Sequence, residues 1–175
     1  YLFKDNIGFP IMTYTEMQFI KAEAAFRMGD LAVAHTAYLN GINASIDFVS
    51  ALGTAITATE KAAYLASASV KQTPATLTLK DIMLQKYLAL YGYGFVETWC
   101  DLRKYNYNVG DVAGNNPYAG AYVFPASFFV DNGGKPAQRY RPRYNSEYLW
   151  NIEALKKVGA DKSDYHTVKM WFSQP

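Results

Sequence analysis

Leu84, Leu88, Tyr91, Phe95, Trp99 and Leu102 recur at steps of four, three, four, four and three, the spacing of one side of an α-helix. No other periodic run in the chain is as long, and it predicts a central helix over residues 79–103 buried along that side. Gly92 and Gly94 each weaken such a helix by about 1 kcal/mol relative to alanine, which predicts a close neighbour or a kink there. Glu97, Asp101, Arg103 and Lys104 crowd its C-terminal end beside Trp99 and Leu102, so burial and charge meet at one tip.

The segments before it are also helical. Residues 1–12 carry Gly8 and Pro10 and read as an extended lead-in. Thr13 and Glu16 have capping-box spacing and open a helix whose expected buried side is Met17, Ile20 and Ala24. Gly29 stops it, and Asp30 caps a second helix, residues 31–49, with Ala34, Tyr38, Ile42 and Val49 on one side. Two helices joined by Gly-Asp make residues 13–50 a tetratricopeptide-like pair, a unit that needs a partner to cover it. A short helix over residues 60–66, with Thr59 as its cap, precedes the central one. The expected fold is all-α: this hairpin packed on the long central helix, with long irregular loops, in a single domain portion. Because the chain begins in what reads as a linker, it is expected to be the C-terminal part of a longer protein.

Beyond Arg103 the character changes. Residues 104–145 hold six of the fifteen tyrosines, with five glycines and four prolines, and a loop of this length in a compact domain tends to be functional. Tyr122 to Val130 has strand composition interrupted by Pro125. Arg139, Arg141 and Arg143 alternate with Tyr140, Pro142 and Tyr144, which puts the guanidinium groups on one side of an extended segment. A last helix is expected over residues 146–158, capped by Ser146 and ended by Gly159.

Composition narrows the chemistry. A net charge of +2 with interspersed signs gives no footprint for nucleic acid. The single Cys100 rules out an intrachain disulfide and a cysteine-built zinc site, and His35 and His166 have no neighbours at ligand spacing, so no metal and no cofactor are expected. No run reaches the roughly 20 apolar residues of a membrane helix. Glu97 and Asp101 form a carboxylate pair and leave a glycoside hydrolase, or another hydrolase, as an alternative. At i and i+4, however, they point the same way, about 5 to 6 Å apart at Cβ, rather than across a sugar. They read first as members of a structural ion-pair cluster of Glu97, Asp101, Arg103, Arg141, Arg143 and Glu147. Tyr105, Tyr107, Tyr118 and Tyr122, with Asn115 and Asn116, read as a carbohydrate platform, in which rings stack on sugar faces and amides meet hydroxyls. A tetratricopeptide-like scaffold for protein partners is the other alternative.

Three ordered segments carry a family resemblance. TYTEMQFIKAEAAFRMGDLAVAHTAY, IMLQKYLALYGYGFVETWCDLRKYNY and RPRYNSEYLWNIEA, followed by the tail KMWFSQP, resemble the SusD/RagB family of Bacteroidetes surface lipoproteins, in its starch-binding branch. Asn145 and Ser146 depart from the family pattern, which has proline before the position of Glu147. The resemblance implies an all-helical protein with tetratricopeptide units. It further implies a non-catalytic binder of oligosaccharide or polysaccharide, working with a SusC-like TonB-dependent transporter on the outer face of the outer membrane. Its lipid anchor would lie on upstream sequence, since Cys100 cannot be that cysteine. Trp99, Asp101, Arg103 and Glu147 match motif positions that stabilise the family's fold.

Overall fold

Side chains that return to their own backbone set the helix starts. In the computed structural model, which describes residues 5–6, 8–107, 116–121, 125, 127 and 130–173, the Thr13 hydroxyl accepts from the Glu16 amide at 3.2 Å and opens α1, Tyr14–Arg27. Gly29 sits at φ +82°, a conformation that costs a glycine little, and reverses the chain. The Asp30 carboxylate then accepts from the Val33 amide at 3.1 Å to start α2, Leu31–Leu52. Thr57 and Glu60 form a reciprocal capping box for α3, Ala58–Leu65, so the cap falls two residues before the expected Thr59. Thr78 and Asp81 do the same for α4, Leu79–Ala89. Among the described residues the chain is helical, with no strand.

The chain divides into two compact units, residues 1–100 and 101–175. In the first, α1 and α2 pack along each other and α4 packs against both. The expected continuous helix over residues 79–103 is instead two helices, α4 and α5, Phe95–Lys104. The break follows from the two glycines: Gly92 takes φ +95°, and Gly94 lies under the Leu90 side chain, where an added Cβ would come within 2.8 Å. Its consequence is a change of face. Leu88, Tyr91 and Phe95, expected to be buried, are exposed, while Leu79, Ile82, Met83 and Ala89 enter the core.

A similar correction holds for α1. Met17, Ile20 and Ala24 were expected on its buried side, yet all three are exposed. Phe19, Ala22 and Ala25 are buried in their place. Phe19 determines this phase, because its ring settles against Gly41 of α2, where no Cβ intervenes, and meets Tyr38 edge-on at 6.4 Å.

Tyr38 is buried at this centre, and burial pushes its phenol up to about 12. An unfolded tyrosine ionises near pH 10, so between pH 10 and 12 the unfolded chain releases a proton that the folded chain retains. This stabilisation is complete below pH 10 and is lost as pH rises toward 12, by roughly 2 kcal/mol. Tyr38→Phe is therefore expected to lose less stability than the parent over that window. Parallel alkaline slopes in urea titrations would assign the loss to other groups.

The second unit is built from turns. Its only α-helix among the described residues beyond the end of α5 is α6, Ile152–Lys157. The expected helix from Ser146 is shorter than predicted, because Tyr144–Tyr148 forms a wider π-helical turn in which the Tyr144 and Tyr148 rings stack at 5.5 Å. The expected strand over Tyr122 to Val130 lies mostly outside the described residues.

Candidate functional site

The loop tyrosines meet at the C-terminal end of α5. Asn106 and Tyr107 both take positive φ, +53° and +56°, and the Tyr107 amide donates back to the Leu102 carbonyl at 2.7 Å. Two consecutive left-handed residues without glycine are uncommon and need outside support. Asn116 supplies it. Its Nδ2 donates to the carbonyls of Tyr105 and Tyr107, each at 2.7 Å, and its Oδ1 accepts from the Tyr118 amide at 2.9 Å. The Tyr107 hydroxyl donates to the Ala137 carbonyl, and Gln138 Nε2 donates to Asn106 Oδ1 at 3.2 Å.

This clasp changes the reading of the expected carbohydrate platform. Tyr118 is only 1% exposed, and Tyr107 and Asn116 are buried as well, with their polar atoms directed to backbone. Tyr105 is half-buried, edge-on to Tyr118 at 6.0 Å. Asn115 and Tyr122 lie outside the described residues. The described members of the set thus hold the loop together.

The members of the expected ion-pair cluster differ in exposure. Asp101 and Arg103 are buried, whereas Glu97, one turn before Asp101 on α5, is exposed. Arg103 donates from Nη1 to the Gln138 carbonyl at 3.0 Å and lies over the Phe172 ring, 5.3 Å from its centre. Arg139 donates to the carbonyls of Val168 and Lys169 and to the Tyr165 hydroxyl, clamping the C-terminal segment. Arg141 donates to the Tyr148 hydroxyl at 3.1 Å, which in turn donates to the Ala160 carbonyl at 2.7 Å. Glu147 accepts from Asn151 at 2.8 Å, and Arg143 is exposed. A guanidinium offers five donors in a plane, and carbonyls and hydroxyls are among the acceptors that Arg103, Arg139 and Arg141 reach.

What the second unit presents to solvent is a different aromatic set. Tyr140, Tyr144 and Trp150 are 78%, 72% and 86% exposed, in one segment with the stacked Tyr148 and with Arg141 and Arg143. An aromatic ring left in water costs apolar hydration, and three such rings fall within eleven residues here. The sequence carries a signal for this set in the alternation of arginine with Tyr140 and Tyr144.

In the first unit, Phe9, Pro10 and Ile11 line a cavity of about 210 Å³ with Tyr93 to Glu97 and Glu16. Glu16 and Glu97 thus share a lining that sequence spacing did not reveal. The imidazoles are engaged elsewhere: His35 Nε2 lies 2.8 Å from the Lys71 carbonyl, and His166 Nε2 lies 2.7 Å from Asn132 Oδ1. Among the described residues no cluster of three or more His, Cys, Asp or Glu side chains could hold a metal ion, and no helix is long and apolar enough to cross a membrane.

The described residues define an all-helical protein with exposed aromatic rings in its second unit. Residues 3–119, more than half of the chain, match the family model SusD-like_2, described as starch-binding associating with outer membrane, and the chain belongs to that family. Comparison with curated proteins and with solved structures gave no match. The matched stretch contains α1 to α5 and the Asn116 clasp; the exposed row from Tyr140 to Trp150 follows it.

Proposed function

We propose that this protein is a non-catalytic glycan-binding component of a SusC/SusD-type, TonB-dependent uptake system. It would work at the outer face of the outer membrane, held there by a lipid anchor on upstream sequence. Starch-type oligosaccharide is the ligand class that the family description favours. The observation that carries the reading is the solvent-exposed aromatic row of Tyr140, Tyr144 and Trp150 beside Arg141 and Arg143. Rings of this kind stack on the C–H face of a sugar, while guanidinium groups donate to its hydroxyls. Glu97 and Asp101 support no hydrolysis between them, since one is exposed and the other buried one turn along the same helix.

The test is calorimetric titration with maltoheptaose. Tyr144→Ala and Trp150→Ala are each expected to weaken binding about 3- to 10-fold, with little change in melting temperature because both side chains are exposed. Wild-type affinity in both variants would remove the row as the ligand surface. One second reading has an observation of its own. Glu16 and Glu97 line a shared cavity, which keeps a hydrolase in view, although about 210 Å³ is below the roughly 300 Å³ at which ligand pockets begin. Polysaccharide turnover lost on Glu97→Gln would establish it. A blank glycan array would instead favour a helical scaffold, whose partner surface would include the exposed Met17 and Ile20 of α1.

A further inference from the structure

A second polar and aromatic recess lies in the first unit, where the start of α1 meets the middle of α2. It measures about 450 Å³, within the roughly 300 to 1,000 Å³ of small-molecule sites, and is lined by Thr13, Tyr14, Asn40, Asn43, Asp47 and Phe48 among others. Asn40, Asn43 and Asp47 fall at i, i+3 and i+7, so α2 presents them as one polar stripe. We propose that this groove is a carbohydrate subsite that takes one or two pyranose rings. The inference rests on the glycan-binding reading above and adds a site in a unit that reading left without one.

The polar groups are fixed in advance. Asp47 is held by Lys61 at 2.6 Å while its side chain stays 68% exposed, which leaves carboxylate lone pairs for a hydroxyl and offsets the charge. Asn43 donates from Nδ2 to the Leu39 carbonyl at 2.9 Å, which sets the plane of its amide. The Tyr14 and Thr15 amides occupy the first turn of α1 and have no acceptor within the helix. Two rings supply the apolar part. Phe48 is anchored against Tyr93, 5.4 Å between ring centres, and Tyr14 is 57% exposed at the mouth.

This composition selects among ligands. A lipid or an aromatic drug-like molecule would cover Asn40, Asn43 and Asp47 without replacing their hydrogen bonds to water, an unfavourable burial. The paired Asp47–Lys61 leaves no net charge to attract a simple cation or anion. A sugar ring meets both requirements, because it has a C–H face for the aromatic rings and an edge of hydroxyls that donate and accept.

Maltotriose titrated into the protein, followed by amide NMR and calorimetry, tests the site. Saturable shifts of the Asn40 and Asn43 side-chain amides are expected. Tyr14→Ala and Asn40→Ala are expected to weaken the binding read from those shifts about 3- to 10-fold. Asn40→Ala guards against a disturbed start of α1 in the Tyr14 variant, since Asn40 is exposed on α2. If maltotriose binds but both variants bind it as the parent does, the groove is overturned and the glycan-binding reading stands. If no oligosaccharide shifts any resonance, that reading fails and the groove fails with it.

Discussion

Phe19→Ala is expected to lower folding stability by about 3 to 5 kcal/mol, the range for removing a large aromatic from a packed core. The ring is fully buried, meets Tyr38 edge-on, and occupies the notch that Gly41 leaves in α2. Little nearby can move in to fill its space, because Ala22 and Ala37 are small and already buried. Gly41→Ala probes the same crossing from the opposite side. Its methyl would stand 2.9 Å from the Phe19 ring, so overpacking of about 1 to 3 kcal/mol opposes a helix-propensity gain of about 1 kcal/mol. In the double variant the new methyl enters the vacated space, and its loss should be smaller than the sum of the singles. Urea unfolding at a constant m-value measures all three. Strict additivity, or a Phe19→Ala cost under 1 kcal/mol, would show that this crossing is not the tight point of the first unit.

Asn116→Asp is the second large effect. The amide donates two hydrogen bonds to carbonyls, one buried and one part-buried, and accepts one from a buried amide, so a carboxylate keeps the acceptor and turns a negative oxygen toward two others. An uncompensated buried charge costs about 3 to 5 kcal/mol. Asn116→Ala removes the same bonds without adding charge and is expected to cost about 2 to 3 kcal/mol, the penalty of leaving buried polar groups unpaired. Acid separates the two variants. The buried aspartic acid is held protonated in the folded state, so its folded pKa is raised above the unfolded value near 4. Its stability relative to the parent is therefore best below pH 4 and falls as pH rises through the raised value. The alanine variant has no such slope. Equal costs at pH 4 and pH 7 for Asn116→Asp would mean that position 116 is open to water, and the clasp would not hold the Asn106–Tyr107 turn.

That turn rests on Asn116 from a later part of the loop, a contact that is not legible in the sequence. Helix starts were legible because they depend on residues three apart: Thr13 with the Glu16 amide, Asp30 with the Val33 amide. The all-helical class was legible for the same reason, whereas Gly92 and Gly94 signalled a kink or a close neighbour and the full break between α4 and α5 was not foreseen. Burial was less so. Both Met17/Ile20/Ala24 and Phe19/Ala22/Ala25 are apolar sets at helical spacing, and only the notch at Gly41 decides between them. The tyrosines divide in the same way. Tyr118 and Tyr144 have the same ring and hydroxyl, yet one lies under the Asn116 clasp and the other stands in solvent on a π-helical turn. The spacing of Asn40, Asn43 and Asp47 puts them on one side of α2, but the opposing Tyr14 wall comes from another helix, so the groove itself is not legible in the sequence.

By itself the sequence determined where α1 and α2 begin, where glycine permits reversal, and to which family the chain is related, since each depends on residues close together in the chain or on their order. Tertiary structure alone decided which side of α1 and α4 faces inward, which arginines serve carbonyls, and which aromatic rings remain available to a ligand. The physical reason is that burial belongs to pairs of surfaces, and a helix with two apolar sides has no preferred inside until its neighbour arrives.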